Sequence, residues 1–280
     1  AEDMSRASSK LVTREQAALG VIRVANANME QALRLVSVER GHDPRRFSLV
    51  SFGGAGGLHA AALASALKIP RVLIPSFPGA FSALGVLLAD VVKDYSRTIM
   101  LTIDAKEKSI LPRRIEREFA AMEKLAKADL RAENFAPEQT NLVRLLAMRY
   151  RGQSFELEVA ADADAIARFH QTHLERYGHA DAHKAVEIVS VRLRAIGVTD
   201  KPKLRQEKSF RRYKAKPDRE TLIWLGDKRR KAAVFNRDSL LPGAYFTAPA
   251  IVVEYGSTTL IPSGWRASVD AWQNLILESL

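Results

Sequence analysis

The residues best suited to chemistry stand at Gly53-Gly54-Ala55-Gly56-Gly57, where the apolar run Leu49-Val50 gives way to four glycines and then to the alanine-rich stretch Leu58-His59-Ala60. Glycine takes positive φ at little steric cost and has no Cβ to hold a ligand away. The first amides of a following helix point outward and favour negative charge. A phosphate or a nucleotide can therefore lie against this backbone. The spacing is neither G-x-G-x-x-G nor G-x-x-x-x-G-K-[ST], so both the dinucleotide and the P-loop motifs are absent. The competing reading is a tight strand-to-helix turn in which backbones pack closely.

His59 lies one helical turn past the glycines, in reach of a nucleotide or substrate, although a histidine among alanines also fits a hydrogen-bonded core position. A second small-residue stretch, Pro75-Ser76-Phe77-Pro78-Gly79-Ala80-Phe81-Ser82-Ala83-Leu84-Gly85, is expected across a cleft from the glycine turn, with Ser82 as a possible contact. Asn26 and Asn28 interrupt an apolar helix and read as exposed or locally bonded, with Asn28 kept as a possible ligand contact. Asp90 and Asp94 read as the solvated end of a helix. Among the six histidines only His170/His173 and His179/His183 are spaced for one helix or turn, and Gly178 breaks their continuity. No metal site is expected, and neither H-E-x-x-H nor G-x-S-x-G occurs.

The elements that must position these groups are legible in the apolar periodicity. Thr13-Arg14-Glu15-Gln16 is a capping layout that opens a helix running to about Arg40 and stopped by Gly41. Ser48 to Ser51 and Arg71 to Ile74 are short strands on either side of a helix at Leu58 to Leu67, an α/β layer with parallel pairing. A boundary is placed at residue 101. Residues 102–200 read as an α+β domain: a charged helix at Ile110 to Ala132, strands at Asn141 to Tyr150 and Ser154 to Ala160, a helix from Asp162 to Tyr177, and a strand from Val186 to Val198. Residues 201–280 read as a basic connector followed by a small β module.

Composition bounds the function. The chain has 280 residues, 47% of them hydrophobic, which is enough for a substantial core. There is no cysteine, so disulfides and thiolate catalysis are excluded. Without a membrane-length apolar run or a signal-peptide layout at the start, a soluble cytoplasmic protein is expected. The net charge is +11, but Lys201 to Lys231 holds 13 Lys/Arg against 4 Asp/Glu and so carries +9 alone. With only Phe210, Tyr213 and Trp224 interleaved, that segment reads as a solvated connector and hairpin, or a face for an acidic partner, in preference to a nucleic-acid site.

Several segments in one order resemble the ATP-dependent hydantoinase and 5-oxoprolinase A-type family, which includes N-methylhydantoinase A and the β-type subunits of acetone carboxylases. They are Gly20 to Met29, Arg40-Gly41-His42-Asp43-Pro44-Arg45, Phe52 to Gly56, Pro78-Gly79 with Ser82-Ala83-Leu84-Gly85, Arg149 to Leu157, Tyr177-Gly178, Val186 to Arg192, and Pro249 to Glu254 with Ser257-Thr258-Thr259. The resemblance implies that residues 1–101 are the carboxy-terminal, adenosine-side part of an actin-like ATPase domain. In it Gly53, Gly54, Ala55, Gly56 and Gly57 would contact the adenosine of ATP. It also implies a reaction in which ATP phosphorylates the carbonyl oxygen of a hydantoin or 5-oxoproline ring, so that the carbon becomes a better target for water.

Two departures qualify the resemblance. Gly57 stands where the family usually has proline, and the family's amino-terminal half, with its Asp-x-Gly-Gly-Thr phosphate loop, has no counterpart here. The chain is expected to be a carboxy-terminal part or a split subunit, inactive alone, with its Mg²⁺ ligands elsewhere. Its expected partners are the missing amino-terminal half, a B-type hydantoinase subunit or a second copy of itself. The alternatives are an assembly module that docks a B-type subunit and a nucleic-acid binder acting through residues 201–231.

Overall fold

The computed structural model describes residues 12–103, 113–204, 206–207 and 210–280. These residues fall into two compact units, one within Ala1–Leu87 and Pro202–Leu280, the other within Leu88–Lys201.

In the first unit, helix α1 (Arg14–Val36) opens with a capping box. The Gln16 amide donates to Thr13 Oγ1 at 3.2 Å, and the Thr13 amide donates to Gln16 Oε1 at 2.9 Å, so two amides of the first turn are satisfied. The helix stops four residues earlier than its periodicity suggests, and a 3₁₀ turn at Val38–Arg40 carries the chain to Gly41 at φ 81°. Strands β1 (Ser48–Val50) and β2 (Arg71–Ile74) pair in parallel on either side of helix α2 (Gly56–Leu67), the expected α/β layer. Helix α3 (Phe81–Leu88) follows.

The tail is not a separate β module. Of its strands β10 (Ala244–Thr247), β13 (Trp265–Val269) and β14 (Leu275–Ser279), the last pairs antiparallel with β2 through Leu275↔Ile74 and Leu277↔Val72. With β7 (Tyr213–Lys214), one six-stranded sheet runs β1-β2-β14-β13-β10-β7. Strand β2 has an open edge and apolar side chains, and β14 satisfies both. A second sheet, β12-β11-β9-β8, contains β8 (Arg219–Leu225), β9 (Lys228–Asn236), β11 (Ala250–Glu254) and β12 (Ser257–Ile261). β8 and β9 form an antiparallel hairpin about Gly226, so the basic run Lys228 to Lys231 is half of an exposed ribbon. The core of this unit joins Ala60, Ala64 and Val72 to Phe246, Val252 and Leu277.

In the second unit, β3 (Val91–Ile103), β4 (Thr140–Tyr150), β5 (Leu157–Ala160) and β6 (Val186–Gly197) form a sheet in the order β3-β6-β4-β5. Helix α4 (Arg113–Ala132) buries Ile115, Phe119, Met122, Ala126 and Leu130 against it, a spacing of three and four residues. Residues 110–112 of the expected helix lie outside the described residues. The unit begins ahead of residue 101 because β3 pairs with β6 along nearly its whole length, from Val91↔Gly197 to Ile103↔Val186. Asp94 therefore sits in a strand and not at a helix end, in an ion pair with Arg194 at 2.8 Å. Asp90 accepts from the Thr199 amide at 3.1 Å and pairs with Lys201 at 2.5 Å.

Helix α5 (Ala165–Tyr177) ends at Gly178, φ 77°. The expected cap Asp162 lies two residues ahead of the N-cap Asp164, whose amide it receives at 3.0 Å. His170 and His173 serve packing: His170 Nδ1 lies 2.7 Å from the Tyr150 hydroxyl, and His173, 1% exposed, holds the His179 carbonyl at 2.7 Å. Among the described residues no cluster of three or more His, Asp or Glu is arranged to hold a metal. No helix among them is long and apolar enough to cross a membrane.

Candidate functional site

The glycine turn forms because the chain must leave β1 and enter α2 within a few residues while three backbones crowd together. Gly53 takes φ 89°, which only glycine adopts without strain. Its amide donates to the Pro78 carbonyl at 2.8 Å, and Ser257 Oγ donates to its carbonyl at 3.3 Å. The second small-residue stretch therefore lies directly against the turn and not across a cleft from it, and the Phe52 and Phe81 rings meet at 5.3 Å. The turn between β11 and β12 makes the third side. A Cβ on Gly54 would stand 3.1 Å from the Gly256 carbonyl oxygen, and one on Gly79 2.9 Å from the same atom.

The glycines have different duties. Gly57 is buried where α2 crosses β12, and a Cβ there would meet Thr259 Oγ1 at 2.5 Å and the Thr258 carbonyl at 2.8 Å. Its role is close packing. Gly54 and Ala55 are exposed and Gly56 half-buried at the start of α2, whose N-cap Ala55 supplies no side-chain acceptor and whose first turn carries no acid. Among the described residues, the amides of Gly54, Ala55 and Gly56 have no hydrogen-bond acceptor. They are the orphan donors of a helix start, available to a ligand oxygen.

His59 is half-buried, and its Nδ1 meets Asn26 Oδ1 at 2.7 Å, which ties α2 to α1. Nε2 has no hydrogen-bond partner among the described residues. Asn28 is exposed on α1, about 200° around the helix from Asn26, so it is not brought to His59. Ser82 is exposed in the first turn of α3, in the segment that packs on the glycine turn.

One feature gave no signal in the sequence. A cavity of about 430 Å³ borders the turn, lined by Phe77, Gly79, Arg237, Glu254, Tyr255 and Gln273 among others. Arg237 is only 8% exposed; its Nη2 donates to the Gln273 carbonyl, while Nη1 is buried without a partner among the described residues. Burial pushes its pKa down, with the charges of Glu254 and Asp270 opposing. Burial pushes the Glu254 carboxyl up, Arg237 pulls it back and Asp238 adds to the rise.

With this fold and glycine turn, the chain belongs to the hydantoinase/oxoprolinase family: residues 102–280 match the hydantoinase/oxoprolinase C-terminal domain and residues 2–95 the hydantoinase/oxoprolinase model. An uncharacterized protein of Methanocaldococcus jannaschii is 38% identical over 267 residues, 94% of this chain and 38% of the relative. The 5-oxoprolinase of Saccharomyces cerevisiae is 30% identical over 274 residues, 92% of this chain and 21% of that protein. Among solved structures, the ATP-dependent caprolactamase of Pseudomonas jessenii matches with a TM-score of 0.71 at 26% identity, over 96% of this chain and 40% of that one. Nucleotide-free acetone carboxylase shares the fold, with a TM-score of 0.75 at 22% identity over 99% of this chain and 41% of that one. The chain thus spans about two fifths or less of these proteins. The family models divide near residue 100, whereas the compact units divide at residues 87 and 201, because β3 joins one sheet and the tail joins the other.

Proposed function

We propose that this chain is the carboxy-terminal part of an ATP-dependent hydrolase of cyclic amides, and that its glycine turn takes the adenosine side of ATP as part of an actin-like ATPase domain. The observation that carries the reading is the row of orphan amides at Gly54, Ala55 and Gly56, which opens a helix with neither cap nor acid. Its support is family membership, together with the likeness to an ATP-dependent caprolactamase and to an acetone carboxylase of ATP-dependent acetone carboxylation. In this reading Gly53 and Gly57 shape the turn, His59 offers Nε2 beside it, and Ser82 and Asn28 are outlying contacts.

The physical logic of the reaction is that an amide carbon is a poor electrophile, and phosphorylating its oxygen activates the carbon toward water. The tetrahedral adduct expels the protonated ring nitrogen to leave an acyl phosphate, and a second water releases phosphate and the carboxylate. The β- and γ-phosphates and Mg²⁺ are assigned to the portion of the longer protein outside this chain, as is the chemical step. A B-type subunit is the proposed partner in the complete assembly, with a second copy of the chain as the other candidate.

Photolabelling with 8-azidoadenosine triphosphate followed by peptide mapping tests the nucleotide assignment. The label is expected on peptides from residues 51–80, and Gly54→Val, which drives a side chain toward the Gly256 carbonyl, is expected to remove it. Labelling confined to the basic residues 210–231, unchanged by Gly54→Val, contradicts it.

A further inference from the structure

The basic run Lys228 to Lys231 has no part in the glycine turn, and the fold makes it one arm of a hairpin. Strands β8 and β9 pair without a register break from Arg219↔Val234 to Leu225↔Lys228. β9 meets β11 only from Ala233 onward, so Leu222 to Lys231 stands out as a two-stranded ribbon. β8 is the edge of its sheet. Because the turn holds only Gly226 and Asp227, Leu225 and Lys228 form a hydrogen-bonded pair, and bonded and non-bonded pairs alternate from there. Leu222 and Trp224 therefore direct their N–H and C=O groups to the open edge, where nothing among the described residues meets them.

Short strands, edge charges and bulges keep an edge from pairing with another chain. The edge strand β3 of the other unit is guarded in this way, with Lys93, Asp94 and Arg97 in ion pairs and a register break between Thr98 and Leu101. The edge strands β1 and β7 are three and two residues long. The run Thr221 to Leu225 has no charge, no proline and no bulge, and it leaves Leu222 66% and Trp224 40% exposed.

The charge stands one strand further in. Residues 219–231 hold five Lys/Arg against two Asp/Glu. Lys231 pairs with Glu220, whereas Lys228, Arg229 and Arg230 have no acidic partner among the described residues. Leu222, Trp224, Arg229 and Lys231 share one face of the ribbon, as directly opposed residues do. The Arg229 guanidinium leans across the ladder to lie 5.2 Å from the centroid of the Trp224 ring. Its charge is thereby carried over β8, one strand spacing of about 4.8 Å from the line that an added strand would follow.

We propose that β8 takes an extended segment of a partner protein as an added strand, one in which acidic residues alternate with apolar ones. The open amides and carbonyls supply the ladder, Leu222 and Trp224 the apolar contact, and Lys228, Arg229 and Arg230 the preference for acid. A second copy is disfavoured, because β8 against β8 brings two cationic hairpins together with like charges facing. A nucleic acid or an anionic lipid surface would use the cations and leave the backbone edge idle. No group of the glycine turn takes part, so this docking stands or falls independently of nucleotide binding.

The probe is a capped heptapeptide alternating glutamate and valine, matched to the seven residues of β8. Titrated into the 280-residue chain by calorimetry, it is expected to bind and to slow amide hydrogen exchange at Leu222 and Trp224. A proline is tolerated in an edge strand where its missing N–H would face solvent. Leu222→Pro therefore keeps the β8–β9 ladder and every charge, and is expected to weaken binding tenfold or more. Lys228→Glu combined with Arg229→Glu is expected to weaken it by a similar factor, as is replacement of glutamate by lysine in the peptide. If Leu222→Pro fails to fold, the peptide methylated at its backbone nitrogens decides, since it keeps the side chains and is expected not to bind. Failure of the glutamate peptide to bind overturns the proposal, as does binding that persists in the folded Leu222→Pro variant or with the methylated peptide. An oligothymidylate or phosphatidylserine vesicles bound in place of the peptide would give the hairpin to a polyanion, and dimerisation without peptide binding would give the edge to a second copy; either result contradicts it.

Discussion

Gly57 keeps an ordinary helical backbone and yet has no room for a methyl group, because Thr259 stands where a Cβ would go. Gly57→Ala is expected to cost about 1–3 kcal/mol by overpacking, read as a lower denaturant midpoint. Gly85, exposed in α3 with nothing within 4 Å of its virtual Cβ, is the control, and Gly85→Ala is expected to stabilise by about 0.5–1 kcal/mol. His170 gives a pH dependence. Burial pushes its pKa below the usual 6.5, and the nearby Asp181 only partly opposes. The unfolded chain then binds more protons than the native one as pH falls through about 6.5, so stability is present above that pH and is lost below it. Thermal melts of the unit within Leu88–Lys201 should fall between pH 7 and pH 5, and His170→Gln should flatten that fall. An unaltered slope in the variant would show that other groups carry it.

At the scale of elements, α1 departs from what its pattern implies. Its apolar residues recur at three and four, yet none is buried, and Val24 is 63% exposed while Leu33 packs on the core only in part. Val24→Glu should therefore change the unfolding free energy by no more than about 0.5 kcal/mol; a larger loss in a denaturant melt would mean that this face is covered. The sequence announces what is local. The Thr13–Gln16 capping box, the stops at Gly41 and Gly178, and the β-branched alternation of β6 are all readable, because each is decided within a few residues. It conceals what is distant. Strand β3 reads as polar because Lys93, Asp94 and Arg97 are spent on ion pairs with Glu133, Arg194 and Glu118. Strand β14 finds β2 at the opposite end of the sequence, a pairing that no window of residues discloses. The candidate site divides in the same way: the glycine turn is contiguous and legible, whereas the cavity is assembled from Phe77, Arg237 and Glu254, which are adjacent only in the fold.

For the whole molecule, the division into two units carries its own expectation. The unit within Leu88–Lys201 has a closed set of strands and its own core, built around Phe119, Leu146, Tyr150 and Phe169. Excised as residues 88–201, it should fold alone, with a dispersed amide NMR spectrum and a cooperative melt; a collapsed spectrum would mean that it depends on the rest of the chain. The other unit joins strands from residues 48–74 and 213–279 in one sheet and sets the glycine turn against the β11–β12 turn, so the proposed nucleotide contact draws on segments about 200 residues apart. The most direct measurement is calorimetric titration of the 280-residue chain with adenosine and with Mg-ATP. If the chain supplies the adenosine half of a larger site, both should bind weakly and with comparable affinity, and Gly54→Val should abolish both. Absence of binding by either ligand, or binding of ATP alone through its phosphates, would contradict the assignment.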